Sequence, residues 1–161
     1  MSLEIDRIDR IDRRILQLLQ TDGRITNAAL SEAVSLSPNA TAERVKRLVA
    51  SGVIEGFAAV LNPERLRRSF LVFVEVKLDR TDGDVFAAFA EAARQEASIV
   101  ECHMVAGGFD YLLKTRHADM AAYRAFLSQA LLSLPGIRET HSYPVMDEVK
   151  AGGALPIVTD F

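Results

Sequence analysis

The sequence predicts an α+β chain in which three short helices precede a domain with the element order βαββαβ. Two observations carry this prediction. Before residue 52, apolar residues recur three times at helical spacing, each time after a residue that caps helices well. After residue 69, four β-prone segments are interspersed with two helical segments, in an order typical of α+β proteins.

The first two helices are marked by their caps. Asp9 is expected to cap a first helix that ends at Gly23, and Thr26 is expected to cap a second helix over residues 27–34. The apolar residues of the first helix are spaced 0, 4, 7 and 8 and share one face: Ile11, Ile15, Leu18 and Leu19. The first helix therefore has a face that can pack on a core.

The third helix has the strongest start signal in the chain. Ser37 provides an N-cap and Pro38 an N1 proline, and the helix is expected to end at Ser51, before Gly52. Only a short break separates it from the second helix, which is typical of a helix-turn-helix. Residues 53–62, VIEGFAAVLN, are β-prone and predict a wing or a linking strand.

The back half predicts a four-stranded antiparallel sheet. Strands are expected over residues 70–78, 99–106 and 111–115 and from residue 137 onward. Two aromatic pairs, offset by 37 positions, mark the two helices: Phe86 with Phe89, and Tyr123 with Phe126. The order βαββαβ implies the ferredoxin-like arrangement, in which both helices cover one face of the sheet.

These elements divide the chain into a helical domain at 1–62, a linker at 63–69 and a sheet domain at 70–161. In the first strand, Leu71 and Phe73 alternate with three valines, so both faces of the strand are apolar. The two helices can cover only one of these faces. The other face is expected to be buried by a second subunit, which predicts a dimer at least.

In a helix-turn-helix, the second helix of the pair enters the major groove of DNA. The residues expected to contact DNA lie in the first turn of the third helix or opposite its apolar face: Ser37, Asn39, Ala40, Thr41, Arg44 and Arg47. Exposed N–H groups of a first turn suit phosphate, and arginines suit guanine edges or phosphate. The alternative is that Arg44, Lys46 and Arg47 form a solvated helix face.

The charge distribution agrees with a DNA-binding front half, although the net charge is −3. Up to Ser69, eleven Lys and Arg residues stand against nine Asp and Glu, and beyond it eight stand against thirteen. No apolar run approaches the roughly 18 residues of a membrane span. The start of the chain lacks the pattern of a secretory signal, so a cytoplasmic protein is expected.

Catalytic and metal chemistry find little support in the sequence. The three histidines are dispersed along the chain: His103, His117 and His141. The single cysteine, Cys102, is adjacent to His103, and neighbours on a strand point to opposite faces and cannot share an ion. No nucleophile elbow, phosphate loop or pair of catalytic carboxylates is visible. We expect no metal, no cofactor and no enzyme activity.

Long stretches of the sequence resemble one family of regulators. The front half, from IDRIDRRILQLLQ to LNPERL, resembles the DNA-binding domain of the Lrp/AsnC family. The segments SFLVFVEVKL, IVECHMVAGGFDYLLKTR and HSYPVMDEVK resemble its ligand-sensing domain. The resemblance implies a transcription regulator of amino-acid metabolism genes that binds double-stranded DNA. It also implies a dimer that assembles to an octamer, and an amino-acid effector bound between subunits.

The resemblance places the effector at the turn between the second and third strands. There, Gly107 and Gly108 leave backbone N–H groups open to a carboxylate, and Asp110 can accept from an ammonium group. The alternative is a hairpin turn in which Asp110 caps a backbone group. The remaining residues carried over as pocket wall, with plain core as their alternative, are Met104, Met120, Tyr143, Pro144 and Val145.

Four positions depart from the family pattern. Gly108 stands where a family member carries an acidic residue, and Pro144 stands where it carries an aliphatic one. Ala40 and Thr41 replace a threonine followed by valine or cysteine. Effector identity and operator preference therefore do not transfer. The main alternative function is a small enzyme or a stand-alone metabolite-binding module, which would have no affinity for DNA.

Overall fold

The computed structural model describes residues 8–79 and 84–157. The front half forms the three expected helices, α1 (Arg10–Thr21), α2 (Asn27–Val34) and α3 (Pro38–Ala50). Asp9, Thr26 and Ser37 are their N-caps, and each side chain accepts a backbone N–H of the helix it precedes. All three caps were readable from the sequence, because capping depends on residues within one helical turn.

A small apolar core holds the three helices together. Ile15 of α1, Leu30 of α2 and Leu48 of α3 are buried at its centre. Val45 is partly buried beside them. The spacing of Val45, Leu48 and Val49 predicts one buried face of α3, but Val49 is 44% exposed and lies outside the core. Each helix therefore contributes at least one fully buried aliphatic side chain.

The strand expected at residues 53–62 is not formed. This stretch consists of turns and irregular backbone, and it pairs with no strand of the described chain. Phe57, Val60 and Leu61 are exposed. β-propensity alone does not make a strand, because a strand needs a neighbour to satisfy its backbone groups.

The back half forms the expected four-stranded sheet. Its elements, in chain order, are β1 (Phe70–Leu78), α4 (Val85–Gln95), β2 (Ile99–Met104), β3 (Tyr111–His117), α5 (Met120–Gln129), a short 3-10 turn (Leu131–Ser133) and β4 (Ile137–Pro144). The strand order is β2-β3-β1-β4, and every described pairing is antiparallel. This is the ferredoxin-like arrangement, with β2 and β4 at the edges.

One face of the sheet packs against α4 and α5. Val72, Val74 and Val76 of β1 are fully buried there, together with Phe89 of α4 and Leu113 of β3. The opposite face is mixed in character rather than apolar throughout. Phe73 is followed on that face by Glu75 and Lys77, and both are partly exposed.

Residues 150–157 are grouped with the helical unit by their contacts, and the expected domain bounds stay a prediction. The chain divides into one unit of Met1–Val60 with Lys150–Phe161 and a second unit of Leu61–Val149. The Gln20 side chain accepts the Leu155 N–H at 2.6 Å and donates to the Leu155 carbonyl at 3.2 Å. These two bonds satisfy both backbone groups of Leu155.

His117 is a buried titratable group in the second unit. It is 4% exposed, and its ring centroid lies 4.8 Å from that of Phe126 and 5.2 Å from that of Tyr123. Its Nε2 atom has no hydrogen-bond partner among the described residues. Burial lowers the pKa of His117 below its ordinary value, and the charge of Arg68 lowers it further, while Glu96 opposes the shift.

The stability of the second unit is therefore expected to fall as the pH drops below about 6.5, the ordinary histidine pKa. In that range the unfolded chain takes up the proton before the folded chain does, so protonation favours unfolding. Urea unfolding at pH 7.5 and pH 5.5 measures the effect. His117→Phe should reduce the pH dependence, and the same change at the exposed His141 is the control. Equal pH dependence in both variants would contradict this assignment.

Candidate functional sites

The first turn of α3 is open to solvent. The Ser37 hydroxyl caps it by accepting the Ala40 N–H at 3.2 Å, and Asn39 and Ala40 are exposed. The Asn27 side chain donates to the Pro38 carbonyl at 2.9 Å and so ties the start of α2 to the start of α3. Ser37, Asn39 and Ala40 thus lie at the exposed start of the second helix of the pair, and their contact with DNA stays a prediction.

Thr41 does not share this position, and its place among the DNA-contacting residues is corrected. Its side chain is fully buried, and its hydroxyl donates to the Ser37 carbonyl at 3.1 Å. Thr41 precedes Val45 and Leu48 by four and seven residues, which places all three on the same helical face. The spacing already contained this signal.

Arg44 and Arg47 are paired with the N-terminus of α1. Arg44 Nη1 donates to Asp9 Oδ2 at 2.7 Å and to Asp12 Oδ1 at 2.8 Å, and Arg47 Nη2 donates to Asp12 Oδ2 at 2.5 Å. We call these four residues the carboxylate–arginine cluster. Both arginines, expected to contact DNA, bind carboxylates of α1 in this structure, and their contact with DNA stays a prediction.

The electrostatics of the cluster favour its charged form. The Asp9 and Asp12 hydrogen bonds raise the pKa of Arg44 above its ordinary value. Burial alone would raise the pKa of Asp9, but the Asp12 N–H and the Arg44 guanidinium hold it below the ordinary value. Both groups stay ionised near neutral pH, so the ion pairs persist there.

Three exposed polar residues of α3 form a stripe that differs from the expected set of DNA-contacting residues. Asn39, Glu43 and Lys46 are exposed and are spaced so that they lie on one side of the helix. Lys46 is not among the residues expected to contact DNA, although it lies on the same side of the helix as Asn39. The signal that places it there is the spacing i, i+4, i+7 measured from Asn39.

At the turn between β2 and β3, there is free space around the two glycines, but the Asp110 carboxylate is buried. A Cβ atom added at Gly107 or Gly108 would meet nothing within 4 Å. Asp110 is 4% exposed, and its Oδ2 accepts the Leu78 N–H at 2.8 Å. The structure thus favours the alternative in which Asp110 caps a backbone group.

A cavity of about 500 Å³ adjoins this turn and contains charges that the sequence analysis did not select. Its charged lining residues beside Asp110 are Lys77, Asp79 and Arg138. They come from β1, the residue after β1, and β4, so the fold brings them to the glycine turn from distant parts of the sequence. Both signs of charge therefore lie beside the two glycines of the turn.

The other expected pocket residues are divided between the two ends of the sheet, with Met104 at the glycine-turn end and Pro144 at the opposite end. Pro144 pairs with Val72 near the start of β1, whereas Met104 pairs with Tyr111, which pairs with Val76. Four residues of β1 separate these positions, which is about 13 Å at roughly 3.3 Å per residue. Three of the expected residues are at least 48% exposed within one chain: Met104, Met120 and Tyr143.

Pro144 is accommodated by its position. It lies on β4, an edge strand, where a residue without an N–H removes no bond from the centre of the sheet. The chain continues to pair after it, because the Val145 N–H donates to the Leu71 carbonyl at 2.9 Å.

The described residues contain no cluster of three or more His, Cys, Asp or Glu that would suit a metal ion. Within the same ranges, no helix is long and apolar enough to span a bilayer.

Comparisons with known proteins identify both halves of the chain. Residues 8–55 match the family of winged helix-turn-helix DNA-binding domains, and residues 71–155 match the Lrp/AsnC ligand binding domain. The leucine-responsive regulatory proteins of Klebsiella pneumoniae and Escherichia coli are 53% identical to this chain over 152 residues, covering 94% of it and 93% of each relative.

Solved structures agree with these matches. A transcriptional regulator from Neisseria meningitidis, solved as a complex with L-Met, is 36% identical, with a TM-score of 0.88 over 92% of this chain and 96% of that one. An AsnC family regulator from Agrobacterium tumefaciens is 31% identical, with a TM-score of 0.87 over 92% of this chain and 96% of that one. The chain therefore belongs to the Lrp/AsnC family and is a DNA-binding transcription regulator, not an enzyme.

Proposed function

We propose that this regulator reads duplex DNA with the exposed stripe of α3 and that an amino acid, bound beside the β2–β3 turn, modulates its DNA binding. We further propose that its targets are genes of amino-acid metabolism. The effector part of the proposal depends on the cavity at the glycine turn, where cationic and anionic side chains lie beside Gly107 and Gly108.

The DNA-reading part rests on what α3 exposes. Ser37, Asn39 and Ala40 form its open first turn, where N–H groups and the helix dipole attract phosphate. An asparagine side chain can pair with the adenine edge in the major groove, and a glutamate can accept from cytosine. Lys46 lies two turns further along the same stripe and suits a phosphate or a guanine edge.

Lys46→Ala is expected to lower the salt slope of DNA binding by about one unit if Lys46 holds a phosphate. Asn39→Ala is expected to cost about 1 to 3 kcal/mol of specific binding and to relax specificity at one base pair. Fluorescence anisotropy on a duplex from the protein's own upstream region, at several salt concentrations, measures both. Arg124→Ala, which removes an exposed cation from α5, is the matched control. Wild-type binding in both α3 variants would refute this reading surface.

The effector part rests on charge complementarity. A free amino acid presents a carboxylate and an ammonium group a few ångströms apart. The N–H groups of Gly107 and Gly108, with Arg138, suit the carboxylate, and Asp79 suits the ammonium. The Neisseria meningitidis regulator, whose structure is a complex with L-Met, supports an amino acid as the effector class.

The separation of the two sets of pocket residues supports a site shared between subunits. Met120, Tyr143, Pro144 and Val145 lie at the other end of the sheet from the glycine turn, so one copy of the chain does not enclose a ligand with all of them. A second copy that brings its Tyr143 end to this turn would complete the wall. A two-fold dimer can form this contact twice, and the family resemblance suggests that the dimer assembles to an octamer.

The experiment that tests the proposed function titrates DNA binding with each of the twenty amino acids. At least one should shift the DNA affinity of the wild-type protein and raise its melting temperature. A ligand at about 100 times its Kd adds about 2.7 kcal/mol to stability. If no amino acid changes either quantity, the effector class is wrong. If no duplex binds above the level of random sequence, α3 is not a reading helix.

A further inference from the structure

The carboxylate–arginine cluster contains one deeply buried carboxylate, that of Asp12. The Asp12 side chain is only 1% exposed, yet both of its carboxylate oxygens bind an arginine of α3. Asp9 and Asp12 also form a capping box, in which each side chain accepts the other's backbone N–H, at 2.8 Å and 3.3 Å. Neither carboxylate can turn away to water without breaking the start of α1.

This burial fixes the arginines. A phosphate that captured Arg44 and Arg47 would leave the Asp12 carboxylate buried without cations, which is strongly unfavourable. Arg44 is also held by Asp9, and its side chain is only 25% exposed. DNA therefore competes poorly for either guanidinium, although Arg47 is half exposed.

The pairing also cancels the charge of α3. Its ionised residues are Glu43, Arg44, Lys46 and Arg47. The two aspartates of α1 neutralise the two arginines, and the remaining Glu43 and Lys46 are opposite in sign. Helix α3 therefore presents almost no net charge to the phosphates, and net positive charge is what drives binding without regard to sequence.

We propose that Asp12 is a specificity-determining positioning residue, which keeps Arg44 and Arg47 on α1 and off the DNA so that binding depends on the short-range contacts of the α3 stripe. The proposal rests on the proposed role of α3 as the reading helix. It predicts that removing an acidic charge from α1 strengthens non-specific binding, the opposite of what a purely structural role predicts.

Asp12→Asn keeps the size of the side chain and removes its charge, so Arg47 loses its ionised partner. The salt slope on a random-sequence duplex should steepen by about 0.9 per released arginine, which is about a 3.5-fold larger loss of affinity between 50 and 200 mM salt. The ratio of specific to non-specific affinity should fall. Glu91→Gln, which removes an exposed acidic charge from α4, is the control for net charge and should leave the slope unchanged.

Arg47→Gln tests whether Arg47 binds only Asp12 or also contacts DNA in the wild-type protein. Its result does not depend on whether Asp12→Asn folds. If Arg47 is withheld from DNA, Arg47→Gln leaves the wild-type salt slope unchanged, and the double variant D12N/R47Q returns toward it. A fall of about one unit in Arg47→Gln would overturn the proposal, as would equal slopes in Asp12→Asn and Glu91→Gln. Lys46→Ala tests the reading helix independently, so failure of one idea is distinguishable from failure of the other.

Discussion

Gly136→Ala is expected to destabilise the second unit by roughly 2 to 5 kcal/mol, from a left-handed backbone at about 1 to 2 and overpacking at about 1 to 3. Gly136 has a φ of +71°, and a Cβ atom placed there would lie 1.9 Å from Val85 Cγ2. Its carbonyl accepts the Asp79 N–H at 2.8 Å, so the backbone cannot easily rotate to relieve the clash. The change in urea unfolding free energy measures the effect.

Two further variants separate strain from crowding. Gly52 has a φ of +76° with nothing within 4 Å of an added Cβ, so Gly52→Ala should show only the conformational part. Adding Val85→Ala to Gly136→Ala should remove the clash, and the double variant should lose less stability than the sum of the two single changes. Equal losses for Gly52→Ala and Gly136→Ala would show that the contact with Val85 is not limiting.

The parts of the fold that sequence predicts well are those decided within a few residues. The caps Asp9, Thr26 and Ser37 act over three residues, and the alternation of β1 has a period of two. These local signals, with the order of elements, were sufficient for the ferredoxin-like arrangement. The prediction of a strand at 53–62 was wrong because local β-propensity does not show whether a neighbouring strand exists to pair with it.

The candidate sites depend on contacts that are distant along the chain. Arg47 meets Asp12 across 35 residues, Asp110 meets the Leu78 N–H across 32, and Gln20 meets Leu155 across 135. Helical periodicity placed Arg44 and Arg47 opposite the core, but it could not show that two carboxylates of α1 lie there. For the same reason, Asp110 was predicted to bind the ammonium group of an effector. Nothing in the sequence indicates that its carboxylate already accepts the Leu78 N–H.

Arg138→Gln is expected to weaken amino-acid binding by about 10-fold to 100-fold, the usual effect of removing a charged hydrogen bond to a carboxylate. Asp79→Asn should have a comparable effect through the ammonium group. Asp110→Asn is the matched comparison, because its remaining oxygen can still accept the Leu78 N–H and it lies in the same cavity. Calorimetry with the amino acid found in the screen measures all three. If only Asp110→Asn lost binding, Asp110 and not Asp79 would be the residue that binds the ammonium group.

Mixing two defective variants then tests whether the site is shared. Arg138→Gln is expected to disable the glycine-turn end of the sheet, and Tyr143→Ala is expected to disable the other end. The two residues are five positions apart along β4, which is about 16 Å at roughly 3.3 Å per residue. If each site takes one end from each of two subunits, equal random mixing leaves about one quarter of the sites with two intact ends. If one chain forms the whole site, every site in the mixture carries a defect. Recovery of about a quarter of the wild-type binding capacity after co-refolding is therefore expected, and no recovery would place the effector within a single chain.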